Sequence, residues 1–329
     1  MKAVYIREFG GIENLEVREV ESPDSPEGDS VLVNVKAAAL NRADLLQRKG
    51  LYPAPPGYPQ RILGLEFAGI VSEIGSKVNN FRPGDHVFGI TAGGGQAEFV
   101  LTHADQLAKV PANLVFVEAA AIPEAFITAY DAVWTQGKLR KGETLLIHAV
   151  GSGVGLAALQ IAKAIGDIKI FGTSRTQAKL DKCIKIGLDA TINTEETTEL
   201  REIVKTVTGG KGVDVILDLV GAKFFGANLE ALGFKGRLIL VGLVGGRKTE
   251  FDLGTALRKR LHIMGTVLRS RTNAEKAEAT RRFCEEVLPM IASGKIEPNL
   301  DRVFSIEHVR EAHQYLESNS NFGKVVLEF

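Results

Sequence analysis

Three glycines, Gly151, Gly153 and Gly155, follow directly on a short apolar run, Thr144 to His148. Residues without a Cβ at that spacing let a backbone turn sharply and leave room for a ligand against it. Val154 to Ile165 then carries apolar residues at helical spacing, and Lys169 to Thr173 is a second apolar run. Strand, glycine turn, helix and strand make the βαβ unit that sets a pyrophosphate against a helix N-terminus. The glycines alone decide little. Gly151-Ser152-Gly153-Val154-Gly155-Leu156 departs from a strict G-x-G-x-x-G in its last place, and the flanking strand and helix supply the context. About 20 residues past such a turn, an NAD site usually holds Asp or Glu for the ribose hydroxyls. This chain has Thr173, Ser174 and Arg175 there, with Lys179 one turn further on. The cations can pair with a 2′-phosphate and the hydroxyls can donate to it, so the pattern points to NADPH rather than NADH. The alternative is that Arg175 and Lys179 are ordinary solvated helix residues.

A second stretch with chemical content is Gly50 to Pro59, which carries four prolines and two tyrosines. So much proline makes a stiff loop, able to hold an aromatic side chain such as Tyr52 over a cleft.

The elements that must position these groups fall into two styles. The first ~120 residues read as mostly β. Strand candidates are Lys2 to Glu8, Leu15 to Val20, Val31 to Ala38, Phe67 to Ile74, His86 to Ile90 and Ala97 to Leu101, with a short helix over Asn41 to Lys49. From Asn113 the pattern turns helical, with Glu118 to Ala121 and Phe126 to Trp134 broken around Pro123. After the opening βαβ unit, helices at Thr176 to Ile186, Thr198 to Thr208 and Phe224 to Leu232 alternate with strands at Ala190 to Asn193, Val213 to Leu219, Arg237 to Val241 and Leu261 to Val267. Short connections between such units imply a doubly wound parallel sheet of about six strands. Helices over Asn273 to Ile291 and Val309 to Leu316, then a strand over Gly323 to Phe329, close the chain. The fold class expected is α/β, with residues 1–124 and 268–329 forming a discontinuous β-rich domain around a nucleotide domain at 125–267. The cleft between domains is then the default small-molecule site.

Composition narrows the class. Lys plus Arg and Asp plus Glu both number 40, which gives no broad field to attract nucleic acid or an anionic membrane. Two cysteines, Cys183 and Cys284, make neither a C-x-x-C nor a disulfide framework. No apolar run reaches transmembrane length and Met1-Lys2-Ala3-Val4 opens a strand-like segment, so the expectation is a cytoplasmic protein.

Set end to end, the motifs A-A-A-L-N-R-A-D-L (Ala37 to Leu45), G-L-Y-P-A-P-P-G (Gly50 to Gly57), L-G-L-E-F-A-G (Leu63 to Gly69), P-G-D-H-V (Pro83 to Val87), H-A-V-G-S-G-V-G (His148 to Gly155), T-G-G-K-G-V-D-V-I-L-D (Thr208 to Asp218), V-G-L-V-G-G (Val241 to Gly246), V-L-R-S-R (Val267 to Arg271) and G-K-V-V-L-E (Gly323 to Glu328) are specific as a set. The chain resembles the zinc-independent quinone oxidoreductases of the medium-chain dehydrogenase/reductase superfamily. It is most similar to the stress-inducible animal subgroup and its bacterial relatives, through Ser152 and the L-R-S-R segment. The resemblance implies a GroES-like catalytic domain plus a Rossmann domain, NADPH in the cleft, and a homodimer built by pairing the last Rossmann strands, here Leu261 to Val267.

It also implies roles. Tyr52 would hydrogen-bond a quinone oxygen. Asn41 would bond the nicotinamide ribose, or else cap the helix behind it. Thr128 would meet the nicotinamide phosphate end, or else be a buried helix hydroxyl. Ser152 would touch the cofactor or orient substrate, or merely turn the loop. Gly151, Gly153, Val154 and Gly155 would take the pyrophosphate, and Gly242, Leu243, Leu268 and Lys324 would line the cofactor's remaining length. Relatives often have Tyr where Thr194 stands, so the adenine end would be held differently here. Glu66 and Asp44 read as structural. Related alcohol dehydrogenases hold a catalytic zinc with Cys and with His in a G-H-E. Here those places are near Asn41 and at Leu65 in Gly64-Leu65-Glu66, and leucine cannot ligate. No metal is expected. His148 reads as a satisfied strand-end histidine, and His308 and His313 as surface residues of a C-terminal helix.

Without a Lewis acid for an alkoxide, alcohol oxidation gives way to reduction of acceptors that take hydride readily. Quinones come first and α,β-unsaturated ketones or aldehydes are the alternative. A non-catalytic NADPH-binding protein with a structural or signalling role is the reading from another class.

Overall fold

Apolar runs alternating with amphipathic helices after Thr144 build a sheet of six parallel strands. Its spatial order is Ala190–Asn193, Lys169–Ser174, Thr144–Ile147, Val213–Asp218, Leu232–Leu240, His262–Gly265. The chain enters at Thr144–Ile147, winds outward on one side, then crosses back to Val213–Asp218 and winds outward on the other. Ligands of doubly wound sheets bind outside the carboxyl ends of the strands where the order reverses, here after Ile147 and Asp218. The helix Gly153–Ile165 buries Leu156, Ala157, Leu159 and Ile161 on its way back to the sheet.

The computed structural model describes residues 1–196 and 200–329. It divides into one unit of Met1–Ile127 with Leu268–Phe329 and another of Thr128–Val267, the division falling inside the helix Pro123–Tyr130. The first is the GroES-like unit, the second the Rossmann unit. Of the helix expected over Thr198 to Thr208, Leu200–Val207 is helical, while Thr198 and Glu199 lie outside the described residues.

The GroES-like unit is organised on the long strand Ser30–Ala39. It pairs antiparallel with Glu66–Ile74, with Phe99–His103 and, at its far end, with the C-terminal strand Lys324–Glu328. One core gathers Val31, Val33, Val35, Phe67, Val71, Val87 and Val100. A second joins the two ends of the chain, with Val4, Ile6 and Leu15 against Val309, Leu316, Val325 and Leu327.

Several elements differ from the sequence reading for identifiable reasons. The break expected around Pro123 falls between the helices Phe116–Ala120 and Pro123–Tyr130, but the second starts earlier than expected, at Pro123 itself, because at the first helical position its missing N–H has no bond to lose. That helix runs on into a π-helical segment, Asp131–Gln136. The long C-terminal helix splits at Val287 into Asn273–Glu286 and Leu288–Ala292, with Pro289 in the first turn of the second piece. The strand Leu300–Ser305 carries no local signature, because it is a largely exposed edge, L-D-R-V-F-S, without alternation. His313 corrects an expectation outright. It is fully buried, at the i+4 place of the buried stripe Val309, Ala312, His313, Leu316. Burial, with the Arg48 charge beside it, pushes its imidazole down to about 3, so the ring is neutral. His308 is exposed.

Candidate active site

In the Rossmann unit the turn after Thr144–Ile147 is built from unequal parts. The left-handed backbone falls on Ala149, at φ 48°, and not on the glycines that follow. Gly155 is required for another reason: a Cβ there would stand 2.7 Å from the carbonyl oxygens of Ala149 and Val150. Only glycine lets the helix start that close to the strand end. Ser152 is the N-cap, its Oγ accepting the Gly155 N–H at 3.2 Å. The bland role for its hydroxyl is therefore present in the structure.

Behind the turn lies a buried polar chain. His148 Nδ1 meets Thr173 Oγ1 at 2.9 Å, and His148 Nε2 meets Asn228 Oδ1 at 2.6 Å. Asn228 Nδ2 donates to Asp218 Oδ2 at 3.1 Å, and Asp218 Oδ1 accepts the N–H groups of Val220 and Gly221 at 2.8 and 2.9 Å. Burial pushes the His148 imidazole down, against the pull of the Asp218 charge and the Asn228 acceptor. The chain ties together the carboxyl ends of three adjacent strands. It also corrects one expectation. Thr173 is buried, with its hydroxyl spent on His148 and on the Ala149 N–H, so that hydroxyl does not face a phosphate.

Ser174 is half-buried and its Oγ accepts the Thr176 N–H. Arg175 is exposed, and among the described residues nothing engages its guanidinium. Lys179 is half-buried one turn on. Gly242 lies against Leu219, whose carbonyl oxygen would be 2.5 Å from a Cβ, and Leu243 is half exposed. Gly151 is buried, while Gly153, Val154 and Thr128 are half-buried.

The GroES-like unit holds a second buried cluster. Glu66 is fully buried and saturated: Lys324 Nζ donates to its Oε1 at 2.6 Å and Asn41 Nδ2 at 2.8 Å, while the Glu124 N–H donates to its Oε2 at 2.8 Å. Lys324 also donates to the Leu40 carbonyl at 2.9 Å and to Asn41 Oδ1 at 2.7 Å, so all three of its protons are taken. Its ammonium group is thus committed within the GroES-like unit. Asp44 accepts the N–H groups of Asn41 and Gly64, and burial pushes its carboxyl up to about 6. Gly64 sits at φ 105°, where a Cβ would come within 2.3 Å of the Gln96 amide. Leu65 is buried, as is Leu268.

The loop with Tyr52 is pinned by a residue that sequence reasoning passed over. Arg269, only 4% exposed, donates to the carbonyls of Ala92 and Tyr52 at 2.8 and 3.0 Å and to Gln47 Oε1 at 2.5 Å. Its guanidinium also lies 5.0 Å from the centre of the Tyr52 ring. Burial keeps the Tyr52 phenol protonated, above its ordinary range, although Arg269 pulls the other way.

Two family models match the chain, the alcohol dehydrogenase GroES-like domain over residues 27–112 and the zinc-binding dehydrogenase over residues 153–285. The quinone oxidoreductase of Lama guanicoe is 33% identical over 99% of this chain and 97% of its own length. The chain belongs to the quinone oxidoreductase family of the medium-chain dehydrogenase/reductase superfamily. It is an oxidoreductase of that superfamily. The crystal structure of Escherichia coli quinone oxidoreductase complexed with NADPH is 32% identical, with a TM-score of 0.90 and 100% of both chains covered. That of JamJ enoyl reductase in its apo form is 26% identical, with a TM-score of 0.88 over 99% of this chain and 98% of that one.

In this family member the motifs acquire separate physical jobs. L-R-S-R is the clamp on the proline loop through Arg269, G-L-E places Glu66 on Lys324, and G-K-V-V-L-E supplies Lys324 itself. The signal that could have revealed Arg269 was its position in a motif already singled out. Its partners are more than 170 residues away, and nothing local foretells them.

Proposed function

We propose that this family member reduces quinones with NADPH, by hydride transfer and without a metal ion. One observation carries the cofactor reading: a helix N-terminus stands at the switch point of the sheet, and an exposed Arg175, unengaged among the described residues, follows the next strand. The residues fit the dinucleotide. Gly155 leaves the close approach open, and Ser152 satisfies only one first-turn N–H, leaving those of Gly153 and Val154 for the pyrophosphate. Arg175, with Lys179 and Ser174, would hold the 2′-phosphate, and Gly242, Leu243 and Thr128 the remaining length. The bound cofactor would supply the hydride.

A catalytic zinc does not fit. Leu65 is apolar and buried, and Asn41 spends its amide on Glu66 and Lys324. The cation beside Glu66 is already an ammonium group. With no Lewis acid to hold an alkoxide, the protein's part is to orient acceptor and cofactor, exclude water and stabilise charge on the acceptor oxygen. Tyr52 serves that last purpose as a protonated phenol on a loop fixed by Arg269. Replacing Tyr52 with Phe should lower kcat about fivefold, the worth of one hydrogen bond of about 1 kcal/mol, with NADPH affinity unchanged. Unaltered steady-state kinetics would reduce Tyr52 to a packing residue.

The deciding experiment is a steady-state screen of quinones and enones with NADPH and NADH in parallel, repeated after chelation. The expected result is quinone turnover with NADPH, insensitive to chelator. Activity lost to chelator and restored by zinc would overturn the metal-free mechanism. The enone reading has one observation behind it, the likeness to JamJ enoyl reductase, and a higher kcat/KM on enones would establish it.

The assembly belongs to the same proposal. The strand His262–Gly265 pairs on one side only among the described residues, and exposed Leu253, Leu257, Ile263 and Val267 lie on it or just beside it in sequence. A second copy pairing along that edge would cover them.

A further inference from the structure

The helix Pro123–Tyr130 is packed on nearly every side: Ala125, Phe126, Ile127 and Ala129 keep 2% or less of their surface. Glu124 and Thr128 are only half-buried, and they stand one turn apart on the same face. That face is therefore only partly covered, and the groups on it are a carboxyl and a hydroxyl. Thr128 is one of the residues proposed above to hold the cofactor's remaining length. Glu124 is held in position by its own main chain, through the N–H given to Glu66. Among the described residues nothing hydrogen-bonds its carboxyl oxygens.

We infer that Glu124 is the general acid of the reaction proposed above, giving its carboxyl proton to the oxygen of the reduced acceptor. The inference rests on the reading of this chain as a quinone reductase and adds the proton source to it. Partly buried, beside the Glu66 and Asp44 carboxyls, and with no donor to its oxygens among the described residues, this carboxyl is held toward its neutral form. Its surroundings are Glu66, Asp44, Lys324 and Arg269, with Tyr52 and Lys276 also within electrostatic reach. Burial first, then the Glu66 and Asp44 charges, push Glu124 up to about 8, outweighing the downward pull of Lys324 and Arg269. At neutral pH it is therefore an acid with an O–H to give. Its neighbours do not compete for this role, because Glu66 is saturated with donors and Asp44 is committed to two main-chain N–H groups.

The balance is simple. A quinone that accepts a hydride gains two electrons and one hydrogen, and becomes a hydroquinone monoanion. The O–H bond of Glu124 then breaks and an O–H bond forms on the acceptor oxygen. The carboxylate left behind recovers a proton from water before the next turnover.

The sign of the pH dependence follows. The acid is present below its ionisation and lost above it, so kcat of the wild-type protein should fall as pH rises through about 8. Glu124→Gln keeps the size and removes the proton. It should lower quinone kcat by roughly a hundredfold, abolish that alkaline limb and leave NADPH affinity within about twofold. Glu124→Asp should recover part of the rate and keep a limb. A readout independent of turnover is the carboxylic-acid C=O stretch in the infrared difference spectrum of the apo protein, which should vanish across the same pH interval in wild type and be missing from Glu124→Gln. Wild-type kcat and an unchanged pH profile in Glu124→Gln would overturn the inference. So would a wild-type protein with no alkaline limb, which needs no variant at all. A wild-type protein that reduces no quinone would instead overturn the function on which the inference stands.

Discussion

Arg175→Ala is expected to weaken NADPH binding by roughly ten- to a hundredfold while NADH binding changes little, because one charge-assisted pairing with a phosphate is worth about 1.5–3 kcal/mol. Arg175 follows the carboxyl end of the second strand of the nucleotide sheet, where the adenosine ribose is recognised in folds of this type. It is exposed and unengaged among the described residues, so it has no partner to abandon for the phosphate. No carboxylate stands among Thr173, Ser174, Arg175 and Thr176 to repel a 2′-phosphate or to claim the ribose hydroxyls. The inward turn of Thr173 sharpens the expectation. One of the two hydroxyls that might have shared the load is committed to His148, so recognition concentrates on Arg175, with Lys179 and Ser174 in support. Fluorescence titration of both cofactors against wild type and variant measures the ratio directly. Equal weakening of NADPH and NADH would mean that Arg175 acts on something the two share.

What could be read from the sequence, and what could not, divides along the range of the interactions. The βαβ alternation, the glycine turn and the six-strand sheet are local and periodic, and all are written in Thr144 to Val267. The positions of Arg175 and Leu65 were legible for the same reason, since each needs only its neighbours. Side-chain direction was not. Thr173 and Ser174 adjoin on one strand, and successive strand residues point to opposite faces, so one faces the interior and the other does not. The roles of Arg269 and Glu124 depend on segments far apart in the chain. His313 is a different kind of miss. The i, i+3, i+4, i+7 spacing of Val309, Ala312, His313 and Leu316 is that of a core stripe, and it outweighs the usual preference of histidine for the surface.

Lys324 carries the other large expected effect, and on stability. Its ammonium group is the counter-charge to a fully buried Glu66 and also holds Asn41 and the Leu40 carbonyl, so three segments of the GroES-like unit meet on one nitrogen. Lys324→Met preserves the length of the side chain and removes the charge. A carboxylate is then left in the interior without its cation, and breaking a buried pair from one side costs about 3–5 kcal/mol. Denaturant unfolding should register that loss as a lower midpoint with a similar slope. Removing both partners is a different matter, because the desolvation that the pair endures disappears with it. Adding Glu66→Gln to Lys324→Met takes away the orphaned charge; the Gln oxygen still accepts the Glu124 N–H, and its NH2 can donate to Asn41 Oδ1, which Lys324 no longer occupies, once the Asn41 amide turns, so it should restore roughly half of the loss or more. The cycle separates electrostatics from packing. A single substitution costing under about 1 kcal/mol, within the range of an exposed pair, would mean that the Glu66 charge is compensated elsewhere. A double substitution no better than the single one would place the cost in lost contacts of the lysine stem and remove the ion pair as the organising interaction of that unit.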